Sequence, residues 1–340
     1  MKKAIALSLL AVLLAVAVSG CGGGSTPEPT PVPPAPEPTA TLVPPTPTSP
    51  PLEEPTATPT AEPTATPEPP AVTLDGQIVW SSDRAAAGEF NVWAIDPESG
   101  DTVQLTTGFS HAWYPRLSPD GSQVVFSTDD GGKWRIHVFD ADGSNLTQVT
   151  DFSSAVASWS PDGSRLVFNS DHRNEPQDTP DLYAMGLDGS DLVELVDEPE
   201  TAEFDAHWSP DGSQILFTGN REGNMDLFVM DADGSKITPL TSDPTNEWAG
   251  RWSPDGKRIV YVSDVTGNLD LFVMAADGSG VVQLTDDPEE DRDPCWSPDG
   301  DQIAFVSHRG AQADIYVMGA GGAGITQLTD DPAYELFPDW

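Results

Sequence analysis

From Gly76 onward, short apolar runs alternate with polar segments rich in Gly, Asp and Pro, and the runs fall into three sets. One set reads "VVFST", "LVFNS", "ILFTG", "IVYVS" and "IAFVS", each with a central aromatic, with a further copy, "IVWSS", starting at Ile78. A second reads "NVWAI", "RIHVF", "DLYAM", "DLFVM", "DLFVM" and "DIYVM"; a third reads "TVQLT", "LTQVT", "LVELV", "ITPLT", "VVQLT" and "ITQLT". Short, β-branched or aromatic, and bounded by turn residues, all three sets predict strands.

The sets recur together at roughly 44 residues, the length expected of a four-stranded propeller blade. Each unit is marked by Leu117 or by a Trp at 159, 208, 252, 296 or 340, and wherever a second strand follows the mark it starts seven residues later. The first strand of the unit therefore ends at the mark. Six copies of the second, third and fourth strands begin at Ile78, but the sixth first strand is "ELFPDW", at Trp340. The arrangement predicts an all-β, six-bladed propeller closed by pairing of this last strand with the first blade, which removes an open sheet edge.

The repeat "WSPDG…F.S…DLYVMDADG…QLT", with five copies of "SPDG", resembles the TolB-type propeller (the WD40-like Pro-Asp repeat) over Gly76 to Trp340. The resemblance implies a six-bladed, non-catalytic propeller that binds proteins or peptides. TolB proteins carry an α/β domain before the propeller; here a different segment holds that place, so only the propeller carries over, and a role in the Tol complex does not follow from the resemblance. The motif itself is structural: Pro presets φ at the first central turn position, Ser and Asp bond local amides, and Gly takes the left-handed position. "DADGS" is a hairpin turn that lacks the ligand set of an EF-hand calcium loop.

Ahead of the repeat, "MKK" and an apolar run from Ala4 to Val18 predict a signal peptide over 1–20, shorter than the roughly 20 residues of a spanning helix. "VSGC" resembles the bacterial lipobox, making Cys21 the lipidation site and implying a lipid-anchored, extracytoplasmic protein, periplasmic or on the cell surface. Ser25–Pro70 holds 18 Pro in 46 residues, so residues 21–74 predict an extended stalk, with the propeller over 75–340. Cys21 and Cys295 are the two cysteines, and lipidation of one precludes an internal disulfide.

Acids outnumber bases 55 to 15, which argues against nucleic acid or anionic lipid as partners; membrane contact is expected through the anchor alone. Strands alternate in direction, so the "SPDG" and "DADG" turns share one face of the disc. The loops between second and third strands and the links between blades share the other. The first face is constant in length; on the second, starts of second and third strands lie 11 to 15 residues apart. Variation confined to one rim marks a working surface.

On that rim, five residues before the mark, stand Glu203, Glu247, Asp291 and Glu335, with Asp205 and Asp293 nearby and His111, Trp113 and Tyr114 in the link to the second blade. The expectation is an acidic arc facing an aromatic sector, suited to a basic or cation-bridged protein or peptide. Arg116, Ser158, His207, Arg251, Cys295 and Asp339, one before each mark, are expected to line the tunnel. Ser158, His207 and Asp339 have the residue types of a hydrolytic triad but stand on different blades. Asp181, Asp226, Asp270 and Asp314, opening third strands, are expected to cap loops. The favoured function is a monomeric, non-catalytic binding or scaffold propeller with no cofactor. The alternative is a propeller hydrolase, lactonase or lyase acting on carbohydrate or a related substrate, for which calcium is the ion to test.

Overall fold

The computed structural model describes residues 73–340, apart from 130, 131, 172–178, 199, 222 and 311. The signal peptide, Cys21 and the Pro-rich segment lie outside the described residues. Among those described, 24 strands form six four-stranded antiparallel sheets. In blades two to six the strands follow chain order from the axis outward, starting with inner strands Ala112–Leu117, Ala155–Trp159, Glu203–Trp208, Glu247–Trp252 and Asp291–Trp296.

Blade one is composite. Its inner strand, Glu335–Asp339, comes from the far end of the chain and pairs antiparallel with Ile78–Ser82, placing Ser82 opposite Glu335. Inner strands of successive blades touch all round the ring, including the last against Ala112–Leu117. The closure expected from the strand count is therefore present. Leu74, assigned to the stalk by composition, is buried, and its amide donates to the Gly121 carbonyl at 2.9 Å, so the folded part includes it.

The core lies between blades. Phe126, Phe168, Phe217 and Phe305 from second strands are fully buried and meet the aromatic or apolar side chains of third strands. The mark Trp joins neighbours: Trp159 Nε1 donates to the Arg116 carbonyl at 3.0 Å and Trp296 Nε1 to the Arg251 carbonyl at 3.1 Å. In every "SPDG" turn the Ser hydroxyl donates to the Asp and accepts the amide five residues on, as from Ser209 to Asp211 (2.7 Å) and from Gln214 (3.0 Å). The Thr ending "QLT" accepts an amide of the third strand, as Thr241 does from Leu227 at 2.9 Å, and so ties the outermost strand to its neighbour.

One feature of the inner strands was absent from the sequence pattern. Three residues before each mark, Tyr114, Val156, Asp205, Ala249, Asp293 and Phe337 all have φ between 51° and 57°. In blades two to six the register with the second strand breaks across this position, and in blade one it breaks opposite it, which makes each site a β-bulge. Left-handed φ is uncommon for non-glycine residues and an outlier for β-branched Val156. Six copies show that it belongs to the architecture. A bulge bends the strand and re-aims its side chains, and here it decides which of them face the channel.

Candidate functional site: the channel mouth

The bulge splits residues that simple alternation would put on one face. Asp205, Asp293, Tyr114, Val156, Ala249 and Phe337, at the bulge, line a cavity of about 440 Å³. Asn224, Met225, Asn246, Asp264, Leu269 and Glu290 complete its rim, so it opens on the face of variable loops and links. Arg116, Arg251 and Arg292 lie at its base and sides.

Glu203, Glu247, Asp291 and Glu335 do not form the expected arc at the mouth. All four are buried within their blades. Each stands opposite a small residue of the second strand, Gly219, Ser263, Ser307 or Ser82, which leaves room for a carboxylate inside the sheet. Three are counter-ions to an arginine just beyond the second strand: Arg84 to Glu335 at 2.8 Å, Arg221 to Glu203 at 3.3 Å and Arg309 to Asp291 at 2.8 Å. Each guanidinium also covers the aromatic pair of its blade, as Arg84 does over Trp80 and Trp93, 5.0 Å from each ring centroid. Glu247 is held instead by Thr245 and Ser263, at 2.7 and 2.9 Å. The sequence signal was present but unread: an Arg two residues past the second strand accompanies the acid in three of these four blades.

The aromatic sector is likewise divided. Tyr114 lines the cavity and lies 4.1 Å, ring to ring, from Phe337. Trp113 packs into the core against Trp134 and Phe90, and His111 contacts Trp113 from outside the cavity. Burial, reinforced by the Asp293 and Asp205 charges, pushes the Tyr114 phenol up, so it stays a neutral donor.

Of the six residues one before the marks, five line the channel cavities, and Ser158 joins them only through His207. Arg251 grips Asp205 with two bonds, 2.7 and 3.0 Å. Asp205 also accepts from His207 Nε2 at 3.2 Å, and His207 Nδ1 meets the Ser158 hydroxyl at 2.9 Å. Asp339 accepts the Leu117 amide at 2.8 Å and lies 3.9 Å from Arg116. His207, Arg251, Cys295 and Asp339 line a second cavity of about 310 Å³, which shares its wall with Pro119, Pro210 and Pro254 of "SPDG" turns. Arg251 lines both cavities, so the ion-pair layer lies between the two mouths of the channel.

A Ser–His–Asp chain thus exists, with Asp205 rather than Asp339 as its acid. Its electrostatics oppose nucleophile activation. Burial and the Arg251 charge push His207 down to about 3, so the ring is a poor proton acceptor at neutral pH. Burial acts to raise the Asp205 carboxyl, but Arg251 and His207 outweigh it and hold it well below the usual range. Its charge is spent on Arg251. Ser158 is buried and lines neither cavity. Burial and the Asp339 charge push the Cys295 thiol up, which leaves it unreactive.

The third-strand acids are buried; Asp226 accepts from the Asn224 side chain (3.0 Å), Asp270 from the Thr266 hydroxyl (2.6 Å) and Asp314 from Gln327 (3.1 Å). Among the described residues one group of three carboxylates, Asp181, Glu194 and Asp197 of blade three, has oxygens within 4.8 Å of one another. It lines neither channel cavity.

Cavity residues missed in the sequence are Arg292, Phe204, Trp248, Val156 and Phe337. For Val156 and Phe337 the signal was the column three before each mark, which reads Tyr, Val, Asp, Ala, Asp, Phe; Phe204, Trp248 and Arg292 stand one position earlier.

Fold and site together define a six-bladed propeller with a ligand-sized, charged cavity at one mouth of its channel. The chain belongs to the TolB beta propeller domain family, whose model matches residues 69–195, 153–262 and 241–340. It is 35% identical over 107 residues to a TolB homolog of Chlorobium chlorochromatii, covering 28% of this chain and 23% of that protein. The chain spans less than half the length of the curated relatives it matches. The crystal structure of TolB from Acinetobacter baumannii superposes with a TM-score of 0.69 at 20% identity, over 78% of this chain and 66% of that one. An oligogalacturonate lyase in complex with manganese superposes at 0.52 and 17% identity, over 74% and 73%. At such identities the likeness concerns the fold.

Proposed function

We propose that this protein is a non-catalytic, extracytoplasmic binding propeller, lipid-anchored through Cys21, whose protein or peptide ligand seats at the channel mouth on the variable-loop face. The observation that carries this reading is the 440 Å³ cavity, lined at every blade by its bulge residue, which is Tyr, Val, Asp, Ala, Asp and Phe in turn. A repeat that varies at one inward-facing position while its turns stay constant is a scaffold presenting a site. Membership of the TolB propeller family supports the binding role and the extracytoplasmic location. The low basicity of His207 and the seclusion of Ser158 support the absence of catalysis.

The test is affinity capture from cell envelopes with the wild-type chain and with Trp248→Ala, which truncates one cavity wall. A partner retained by the wild type and lost by the variant is expected; equal retention by both would remove the mouth from consideration. Replacing Cys21 with Ala is expected to abolish fatty-acid labelling and release the protein from membranes.

The Ser158–His207–Asp205 chain favours one second reading, a hydrolase. Ester and amide substrates screened against wild type and Ser158→Ala decide it: we expect no turnover lost on substitution, and a Ser158-dependent rate would establish the enzyme. Calcium has no part in the binding reading. The melting temperature is expected to differ by less than about 1 °C between calcium and chelator, whereas a saturating specific ion would add on the order of several degrees.

A further inference from the structure

Seven charged side chains line the channel-mouth cavity, three guanidinium groups and the carboxylates of Asp205, Asp264, Glu290 and Asp293. In a chain of net charge −40, three guanidinium groups, Arg116, Arg251 and Arg292, line one cavity, with side chains only 6, 10 and 8% exposed. Their partners are unequal. Arg251 is charge-paired by its two-pronged bond to Asp205. Arg116 donates to the carbonyl of its own neighbour Pro115 at 2.8 Å, and its nearest carboxylates, on Asp339 and Asp205, are 3.9 and 4.0 Å away. Arg292 reaches His308 Nε2 at 3.3 Å, with Asp293 at 4.0 Å.

The Nε of all three arginines is buried without a hydrogen-bond partner, as is one oxygen of Asp293. Buried polar groups in folded proteins are nearly always satisfied, and buried cations are paired. Arg116 and Arg292 both line the cavity, and neither has a carboxylate closer than 3.9 Å. A carboxylate suits them, since a planar fork donates to it through two parallel bonds. The opposite wall is apolar: Tyr114 and Phe337 stand ring to ring, flanked by Val156, Phe204 and Trp248.

We propose that the channel-mouth cavity is a carboxylate site, in which Arg116 and Arg292 hold the anion and the aromatic wall takes an adjoining aromatic or branched apolar group. The inference rests on the binding reading above and names the chemistry of its ligand. Asp293 is the opposing term. Its carboxylate lies 4.0 Å from Arg292, and its like charge limits affinity. The same chemistry is offered by a free aromatic acid and by the C-terminus of a polypeptide.

The experiment titrates the purified full chain, by calorimetry and ligand-observed NMR, with N-acetylphenylalanine, its amide, and a short peptide ending in Phe with a free or an amidated terminus. The acid forms are expected to bind at least about tenfold more tightly than the amides. Arg292→Gln is expected to lose that preference, and Asp293→Asn to increase affinity for the acid; purely structural roles would move both variants in the same direction. An unchanged melting temperature confirms that each variant is folded. Binding by the free-ended peptide but not the small acid would identify a chain terminus as the source, and the converse a small molecule. Equal binding of acid and amide, or no binding of any probe up to about 10 mM, overturns the carboxylate site. A partner still captured through Trp248 would then show that the binding reading survives alone.

Discussion

A single left-handed residue in each inner strand has more influence on this site than any charged side chain. With regular alternation, Glu203 and Asp205 would share a face. The bulge at Asp205 turns one carboxylate into the channel and leaves the other inside the blade. That interior acid has a measurable consequence. Burial raises Glu203 and Glu335 to about 7, against the opposing pull of Thr201 and Arg221 on the first and Arg84 on the second. A carboxyl whose folded pKa exceeds its unfolded one contributes stability that is complete below about pH 4.5 and is lost as pH rises through 7. Thermal stability is therefore expected to fall from pH 5 to pH 8, by up to about 3 kcal/mol per group. Glu203→Gln, which leaves Arg221 its bond to Glu198, should flatten part of the slope; melting curves across that range would show it. A second prediction concerns Gly234 in a "DADG" turn. Its φ is 86°, and a Cβ there would fall 2.4 Å from the Leu195 carbonyl of the preceding blade. Gly234→Ala should cost about 2 kcal/mol or more, read by denaturant unfolding.

Among the strands, Glu335–Asp339 is the one whose loss the fold should tolerate least. It covers the edge of Ile78–Ser82, supplies Asp339 to the Leu117 amide, and carries Phe337 to the cavity. Trp340, just beyond it, donates to the Gly76 carbonyl at 3.0 Å. Deleting residues 335–340 would expose a buried apolar strand with unpaired amides, a template for pairing with other chains. The expected outcome is loss of the cooperative melting transition together with oligomers in size-exclusion chromatography. A monomeric, cooperatively melting deletion would show that the ring does not depend on this strand. The third blade offers a milder case: its fourth strand ends in Val196 where five others have the Thr that accepts a third-strand amide. Thr241→Val should therefore cost only about 1 kcal/mol.

For the molecule as a whole, acids outnumber bases far more than they do at the cavity, where Asp205, Asp264, Glu290 and Asp293 meet three arginines. Residues 75–340 carry 49 acids and 13 bases, while the cavity gathers three of the arginines. Self-repulsion of the surface is screened by salt, whereas the buried ion pairs of the channel are screened much less. Raising sodium chloride from about 10 mM to 500 mM, across which the screening length falls well below 10 Å, should increase the melting temperature. A decrease would mean that exposed pairs outweigh the repulsion. A strongly acidic exterior around a recess that holds three arginines also separates partners by size: a large polyanion is repelled, while a single carboxylate can enter.

The repeat period, the strand runs and the turn residues were enough to specify six blades and the closing strand. Those features are local or periodic, and a missing first strand can only be supplied from the other end. Most of the column before each mark was also legible as channel lining, since Arg116, His207, Arg251, Cys295 and Asp339 line the cavities while Ser158 does not. The destination of the acids was not legible. Whether Glu203 faces water or Arg221 depends on a φ that no residue type at position 205 demands, and on a small residue across the sheet at Gly219. Arg292 and Phe337 entered the site for the same reason. Periodicity assigns a residue to a strand, but the bulge and the neighbouring blade set its direction, and both arise only when the ring is packed.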